Sequence, residues 1–215
     1  MRILITAGPT REAIDPVRYI SNRSSGKMGY ALAEQAHARG HEVLLVSGPV
    51  SFAAPEGCRK VSVESAAEMY DAVAQNIDRV DAALMSAAVA DYAPVHAAAG
   101  KIKKTDGHLV LELGKTRDIL AAMRRELNFK GLLVGFAAET ENLRANALEK
   151  MRRKGCDLIV ANDVSRSDIG FDSDYNEAII LGADGSEQVI SRQLKQAVAG
   201  AILDAMKGPV LKRQS

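Results

Sequence analysis

The chain has 215 residues, enough for one domain with a substantial core and at most a small extension. Lys and Arg number 28 against 27 Asp and Glu, a net charge of +1, so no global field draws the molecule toward nucleic acid or a membrane surface. Trp is absent and aromatic residues are 4% of the chain, which argues against a base-stacking surface, and no apolar run approaches the ~18 residues of a membrane span.

Ile3-Leu4-Ile5 is a short, β-branched apolar run that predicts a buried strand, with no basic n-region and apolar h-region of a signal peptide ahead of it. Gly8-Pro9-Thr10 breaks the run. A long polar loop then leads to Ser24-Ser25-Gly26-Lys27-Met28-Gly29, which opens a helix ending near Arg39-Gly40. A polar, glycine-containing loop between a strand's carboxyl end and a helix's amino end points backbone N–H groups at an anion, and the helix dipole adds to the attraction. Arg11, Arg18, Arg23 and Lys27 bring side-chain cations, so the loop reads as a phosphate cradle. It is of neither standard type. No G-x-G-x-x-G follows Gly8, and Gly26-Lys27 is followed by Met28 where a Walker loop needs Ser or Thr. A solvated loop with ordinary Ser and Gly capping is the competing reading.

Residues 42–47 predict the second strand and 59–63 a short third, after a loop holding Pro49 and Pro55. Ser65-Ala66-Ala67-Glu68 has the pattern of a capping box for a helix to about Ile77, with Met69, Val73 and Ile77 on one face. Residues 82–89 form a small-residue apolar strand ending at Asp91-Tyr92. An Ala-rich excursion with Lys101-Ile102-Lys103-Lys104 follows, and the alternation at 109–113 predicts a strand. Thr116 is read as the cap of a helix that turns Ile119, Leu120, Met123 and Leu127 inward. Next come a strand at 132–136, a helix at 141–154 closed by Gly155, and a strand at 158–161. Residues 177–181 and 188–190 predict a hairpin through Asp184-Gly185, Ser191 the cap of a last helix to about Met206, and 208–215 a frayed end. This alternation predicts an α/β, Rossmann-like, doubly wound fold: a mainly parallel sheet with an antiparallel edge hairpin. Ligands on such sheets lie outside the strands' carboxyl ends, here residues 6–10, 86–91, 136–140 and Asn162-Asp163. Cys58 and Cys156 stand alone, without C-x-x-C or His neighbours, which suggests neither metal nor disulfides and a cytoplasmic protein.

The wording of residues 8–29, GPTREAIDPVRYISNRSSGKMG, resembles the signature of phosphopantothenoylcysteine synthetases. So do SAAVADYAP at 86–94, KIKK at 101–104, VGFAAET at 134–140 and DLIVANDV at 157–164. The resemblance implies a single ligase domain over 1–207, with a flap or dimerisation excursion near 92–113. Its reaction would join 4′-phosphopantothenate to L-cysteine. A carboxylate anion repels nucleophiles, so it must first be activated; in bacterial members CTP does this, giving an acyl-cytidylate and pyrophosphate, and cysteine then displaces CMP.

The resemblance implies catalytic roles for Asn22, at the acyl-nucleotide, and for Lys101, the first lysine of a K-x-K-K flap. Around the nucleotide it implies Ala87, Asp91, Lys115, Asp118, Phe136, Lys150 and Lys154, besides Gly8, Thr10, Ser24, Ser25, Gly26 and Lys27 of the cradle. Arg18 would bind substrate. By its chemistry, a carboxylate at the strand-end position of Asp91 suits either a ribose hydroxyl or a hydrated Mg²⁺. Thr116-Arg117 departs from the K-N-P-D pattern known in some members. On residue chemistry alone each position has a plainer reading. Asn22 shapes a turn, the lysine cluster is solvated, Asp91 caps, Phe136 is core, and Lys150 and Lys154 complement a helix dipole. The implied partners are the small-molecule substrates and a second copy in a homodimer, with a separate or fused phosphopantothenoylcysteine decarboxylase for the next step and no flavin or NAD in this chain. The rivals are an NAD(P)- or flavin-dependent oxidoreductase on the same scaffold and a non-catalytic nucleotide-binding module.

Overall fold

Ile3, Leu4 and Ile5 have no exposed surface because they lie in β1 (Arg2–Ala7), at the centre of an eight-stranded sheet. A computed structural model describes residues 1–104, 106–163 and 173–209. After β1 come β2 (Arg11–Ala13), β3 (Tyr19–Ser21), α1 (Lys27–Ala38), β4 (Glu42–Ser47), β5 (Arg59–Ser62) and α2 (Ala66–Ala74). Then follow β6 (Ala82–Met85), β7 (Tyr92–Pro94), β8 (Leu113–Lys115), α3 (Ile119–Arg125), β9 (Leu132–Glu139) and α4 (Leu143–Lys154). The chain closes with β10 (Leu158–Asp163), β11 (Tyr175–Gly182), β12 (Glu187–Leu194) and α5 (Lys195–Ala205).

The sheet order is β12-β11-β10-β9-β6-β1-β4-β5. The pairs from β5 to β10 are parallel, and β11 and β12 add an antiparallel edge. Period-two alternation sends Ile3, Ile5, Val43 and Leu45 to the face covered by α1 and α5. Leu4, Leu44 and Val46 go to the face covered by α2, α3 and α4. Both faces are buried, so the strands read as continuous apolar runs, and the doubly wound α/β prediction holds. Among the described residues no helix is long and apolar enough to cross a membrane.

Several local expectations need correction. The polar loop after β1 contains an unforeseen hairpin, β2 with β3. The strand expected at 82–89 stops at Met85, because Ser86 Oγ donates to the Thr6 carbonyl at 2.6 Å and the Ala87 N–H to Thr6 Oγ1 at 3.2 Å. The strand expected at 109–113 is displaced: Leu113–Lys115 pairs with β7, whereas Val110 is 86% exposed. Thr116 does not cap α3, since its hydroxyl is committed to the Ala90 carbonyl; Asp118 Oδ1 accepts from the Ala121 N–H at 3.0 Å instead. Ser191 lies within β12, whose ladder runs on to Leu194 opposite Tyr175, so α5 starts without a side-chain cap. Of the frayed end, 208 and 209 form a short helical turn and 210–215 lie outside the described residues, as does Val164 of the DLIVANDV stretch.

Candidate functional site

β1 and β6 are neighbours, yet the chain leaves β1 toward β4 and β6 toward β9, which opens a crevice at their carboxyl ends. The crevice holds a cavity of about 740 Å³. Its floor is sewn together by backbone and hydroxyl contacts. Pro9 bridges to Ala88, the Ala88 N–H donates to the Gly8 carbonyl at 2.9 Å, and Thr10 Oγ1 accepts from the Ala90 N–H at 2.9 Å.

One wall is the amino end of α1. Gly26 is its N-cap at φ 80°, a left-handed conformation that suits glycine, and no side chain occupies the cap. A Cβ on Gly29 would stand 2.5 Å from Ala7 Cβ and 2.8 Å from Ser86 Oγ, so only glycine lets the helix rest directly on β1. The two glycines bring the first N–H groups of α1, which have no intrahelical partners, to the cavity with Ser24 and Ser25 beside them. Lys27 lines the same wall and is ion-paired with Asp174 at 2.7 Å.

The opposite wall is basic. Lys150 and Lys154 are one turn apart on α4, facing Asp118, the N-cap of α3, and Asp91 of the β6–β7 connection. Lys154 is only 9% exposed and is ion-paired with Asp118, as a buried ammonium needs. Burial pulls both ammonium groups below the usual lysine value, with Asp91 among the groups that oppose the shift. Cys156, buried nearby, has its thiol pushed up to about 11 by burial and is an inert core side chain. Phe136 is half-buried and lines the cavity between the walls.

The structure thus brings Ser24, Ser25, Gly26, Lys27, Ala87, Asp91, Asp118, Phe136, Lys150 and Lys154 around one cavity. Gly8 lies behind Gly26, and Thr10 is fully buried with its hydroxyl in the floor. Asn22 is at the rim, where Nδ2 donates to the Ala88 carbonyl at 2.9 Å. Lys101 and Lys115 are exposed outside the lining, and Arg18 is bound to Asp15 and Ile102. Among the described residues no three His, Cys, Asp or Glu side chains gather as a metal site; Asp91 is a single carboxylate on the wall.

Besides Asn146, Glu149 and Arg153 of α4, sequence reasoning missed two lining residues near the antiparallel edge, Asn176 and Lys195. Both are buried, and Lys195 Nζ donates to the Ser173 carbonyl at 2.6 Å. Asn176 sits where the β11–β12 register shifts, and its Oδ1 has no partner among the described residues. No motif marks either one; the signal is a polar residue at the start of an otherwise apolar strand or helix.

The family model for the DNA/pantothenate metabolism flavoprotein C-terminal domain matches residues 1–209. The chain is 45% identical over 207 residues to the coenzyme A biosynthesis bifunctional protein CoaBC of Vibrio parahaemolyticus, covering 95% of this chain and 52% of that protein. To the protein of the same name from Bacillus subtilis it is 46% identical over 202 residues, covering 94% and 50%. The chain therefore spans about half the length of these curated relatives. Among solved structures, the C-terminal domain of a CoaBC protein superposes with a TM-score of 0.84 at 43% identity, covering 98% of this chain and 96% of that one. A Cab2 mutant in complex with phosphopantothenate-cysteine superposes with a TM-score of 0.79 at 14% identity, covering 100% and 89%, a likeness of fold alone.

Proposed function

The chain belongs to the family of the DNA/pantothenate metabolism flavoprotein C-terminal domain, and from that premise we propose that it is a phosphopantothenate–cysteine ligase of coenzyme A biosynthesis, driven by CTP. The observation that carries the reading is the cavity itself. A helix amino terminus and two lysines, Lys154 buried and Lys150 half-buried, line one cavity at the switch point, an arrangement that suits a nucleotide triphosphate rather than a single anion. The relatives' names point to the same pathway.

In this reading the cytidine lies against Phe136 and Asp118, and its triphosphate runs between Lys150 and Lys154 and the N–H groups at Ser24–Lys27. The triphosphate arrives as its Mg²⁺ complex. Asp91 would hold that ion by its carboxylate, and the ion would offset charge on the phosphates. The pantothenate carboxylate attacks the α-phosphorus and expels pyrophosphate; the lysines and helix N–H groups offset charge on the leaving group. The amine of cysteine then attacks the acyl carbon and CMP departs. Asn22 has spent one N–H on Ala88 and keeps a second to donate to the acyl-cytidylate, a neutral donor that does not repel phosphate. Lys101 closes over the triphosphate, and Arg18 takes an anionic group of phosphopantothenate.

Pyrophosphate release measured with CTP or ATP, phosphopantothenate and cysteine tests the reading. CTP is expected to give the higher kcat/KM; equal or better turnover with ATP overturns the nucleotide assignment. Binding of flavin or NADPH with no pyrophosphate release would favour the oxidoreductase instead.

A further inference from the structure

The β2–β3 hairpin carries a carboxylate that the reaction above does not use. The side chain of Asp15 has no exposed surface. Its Oδ1 accepts the backbone N–H groups of Val17 and Arg18, each at 2.8 Å, which is the ordinary work of an aspartate in a turn. Its Oδ2 does something a turn does not require. It takes Arg18 Nε at 3.1 Å, Arg18 Nη2, and the backbone N–H of Ile102 at 3.1 Å. Arg18 Nη2 in turn donates to the Ile102 carbonyl at 2.9 Å.

Asp15 and Arg18 therefore grip both the N–H and the C=O of one residue far along the chain. The Ala98 N–H adds a bond to the Ile14 carbonyl at 2.9 Å. Residues 101–104 have no helix or strand to hold them, and Ile102 directly follows Lys101. The Arg18 guanidinium holds the Asp15 carboxyl well below the usual carboxylate range, as does each of the three backbone donors, so the grip persists across the physiological range although burial opposes it.

We propose that Asp15 is a positioning residue: its enclosed carboxylate clamps Ile102 to the hairpin and so sets where Lys101 stands and how Arg18 is aimed. The inference rests on the assignment of Lys101 to the nucleotide. It goes beyond that assignment in naming what holds the lysine, and it ties the nucleotide end of the site to the substrate end through one side chain.

Asp15→Asn in the full chain is the test, because it keeps the shape and puts an amide where Oδ2 faces three donors. Hydrogen exchange without ligand should be at least tenfold faster for amides in 98–104, with the amides of β1 and β6 unchanged. The KM for CTP should rise about tenfold with a smaller change in kcat, and that rise should vanish when Asp15→Asn is made in a Lys101→Gln background. If Asp15→Asn fails to fold, Ile102→Pro removes the N–H that Asp15 accepts from the flap and keeps the carbonyl that Arg18 holds, at the cost of a fixed φ and the lost Ile side chain, and Lys101, Lys103 and Lys104 still report exchange. Unchanged exchange over 98–104 overturns the clamp. Faster exchange that extends to β1 and β6 also overturns it, in favour of a merely structural Asp15. Faster local exchange with KM unmoved, while Lys101→Gln alone still raises it, overturns the positioning role. Faster local exchange with both variants kinetically silent supports the clamp and refutes the assignment of Lys101.

Discussion

Lys150 and Lys154 show how burial prepares a side chain for an anion. Desolvation lowers their pKa from the ordinary 10.5, so the charged form is the penalised one. The unfolded chain binds more protons than the folded one between the lowered value and 10.5, so ligand-free stability rises with pH across that window. A bound triphosphate reverses the preference and raises both values. CTP affinity should therefore hold steady at neutral pH and fall as pH climbs above the lowered pKa, with proton uptake on binding in that range. Calorimetric titration in buffers of different ionisation enthalpy measures the uptake, and Lys150→Arg should flatten the pH profile. Asn176 makes the opposite trade. An unsatisfied buried acceptor costs about 1–3 kcal/mol, so Asn176→Leu should raise the ligand-free melting temperature by a few degrees, at ~2–4 °C per kcal/mol. The shift induced by CTP or phosphopantothenate should shrink. A lower melting temperature with a full ligand shift would show that the carboxamide serves packing alone. For Asn22→Asp, a carboxylate beside the acyl-phosphate should slow turnover by ~10²–10³ while CTP still binds, as a quench experiment with labelled CTP would show.

At the scale of elements, the contact of α1 with β1 sets the cradle. The Cβ of Gly29→Ala would overlap Ala7 Cβ and Ser86 Oγ, and overpacking of this kind costs about 1–3 kcal/mol. Denaturant melts should show that loss together with weakened CTP binding, because the helix that must shift is the one that presents the N–H groups. The main strands and helices were legible in the sequence because their periodicity is strong: Glu42–Ser47 is the strand expected, and Gly155 ends α4 at φ 69°. Short pieces were not. β2 and β3 have three residues each and are held partly by the Asp15–Arg18 contact, which no hydropathy pattern displays. Thr116 and Asp118 are both competent caps, and a tertiary hydrogen bond to Ala90 decided between them. Leu109, Leu111 and Leu113 alternate as a strand should, but only Leu113 reaches a partner, β7. In the site, the residues near β1 and β6 were readable from position at strand ends. Asn176 and Lys195 were not, because the antiparallel edge that delivers them lies outside the parallel rule used to find ligands.

At the scale of the whole molecule, the two small sheets form an arm with apolar side chains in solvent. Val17 is 60% exposed, Tyr19 48%, Tyr92 47% and Val95 46%, an unusual concentration for a surface. We expect this arm to seat a second copy about a two-fold axis. Light scattering should give twice 23.0 kDa, and Tyr92→Glu with Leu113→Glu should give the single mass with unchanged far-UV circular dichroism. A single mass for the parent chain at micromolar concentration would contradict the dimer. The central place of β1 has a consequence for biosynthesis. Its edges are covered by β4 and β6, and Ile3 finds its partner on the β6 side only at Ala82. A ribosome adding about 5–20 residues per second takes roughly 4–16 s to cover that interval. For that time an apolar, β-branched strand has at least one open edge, the form most prone to pair with another nascent chain. Faster synthesis from a strong promoter does not shorten the wait on any one chain; it only raises the number of open edges present together. Weaker induction should therefore improve soluble yield more than any change at the cavity.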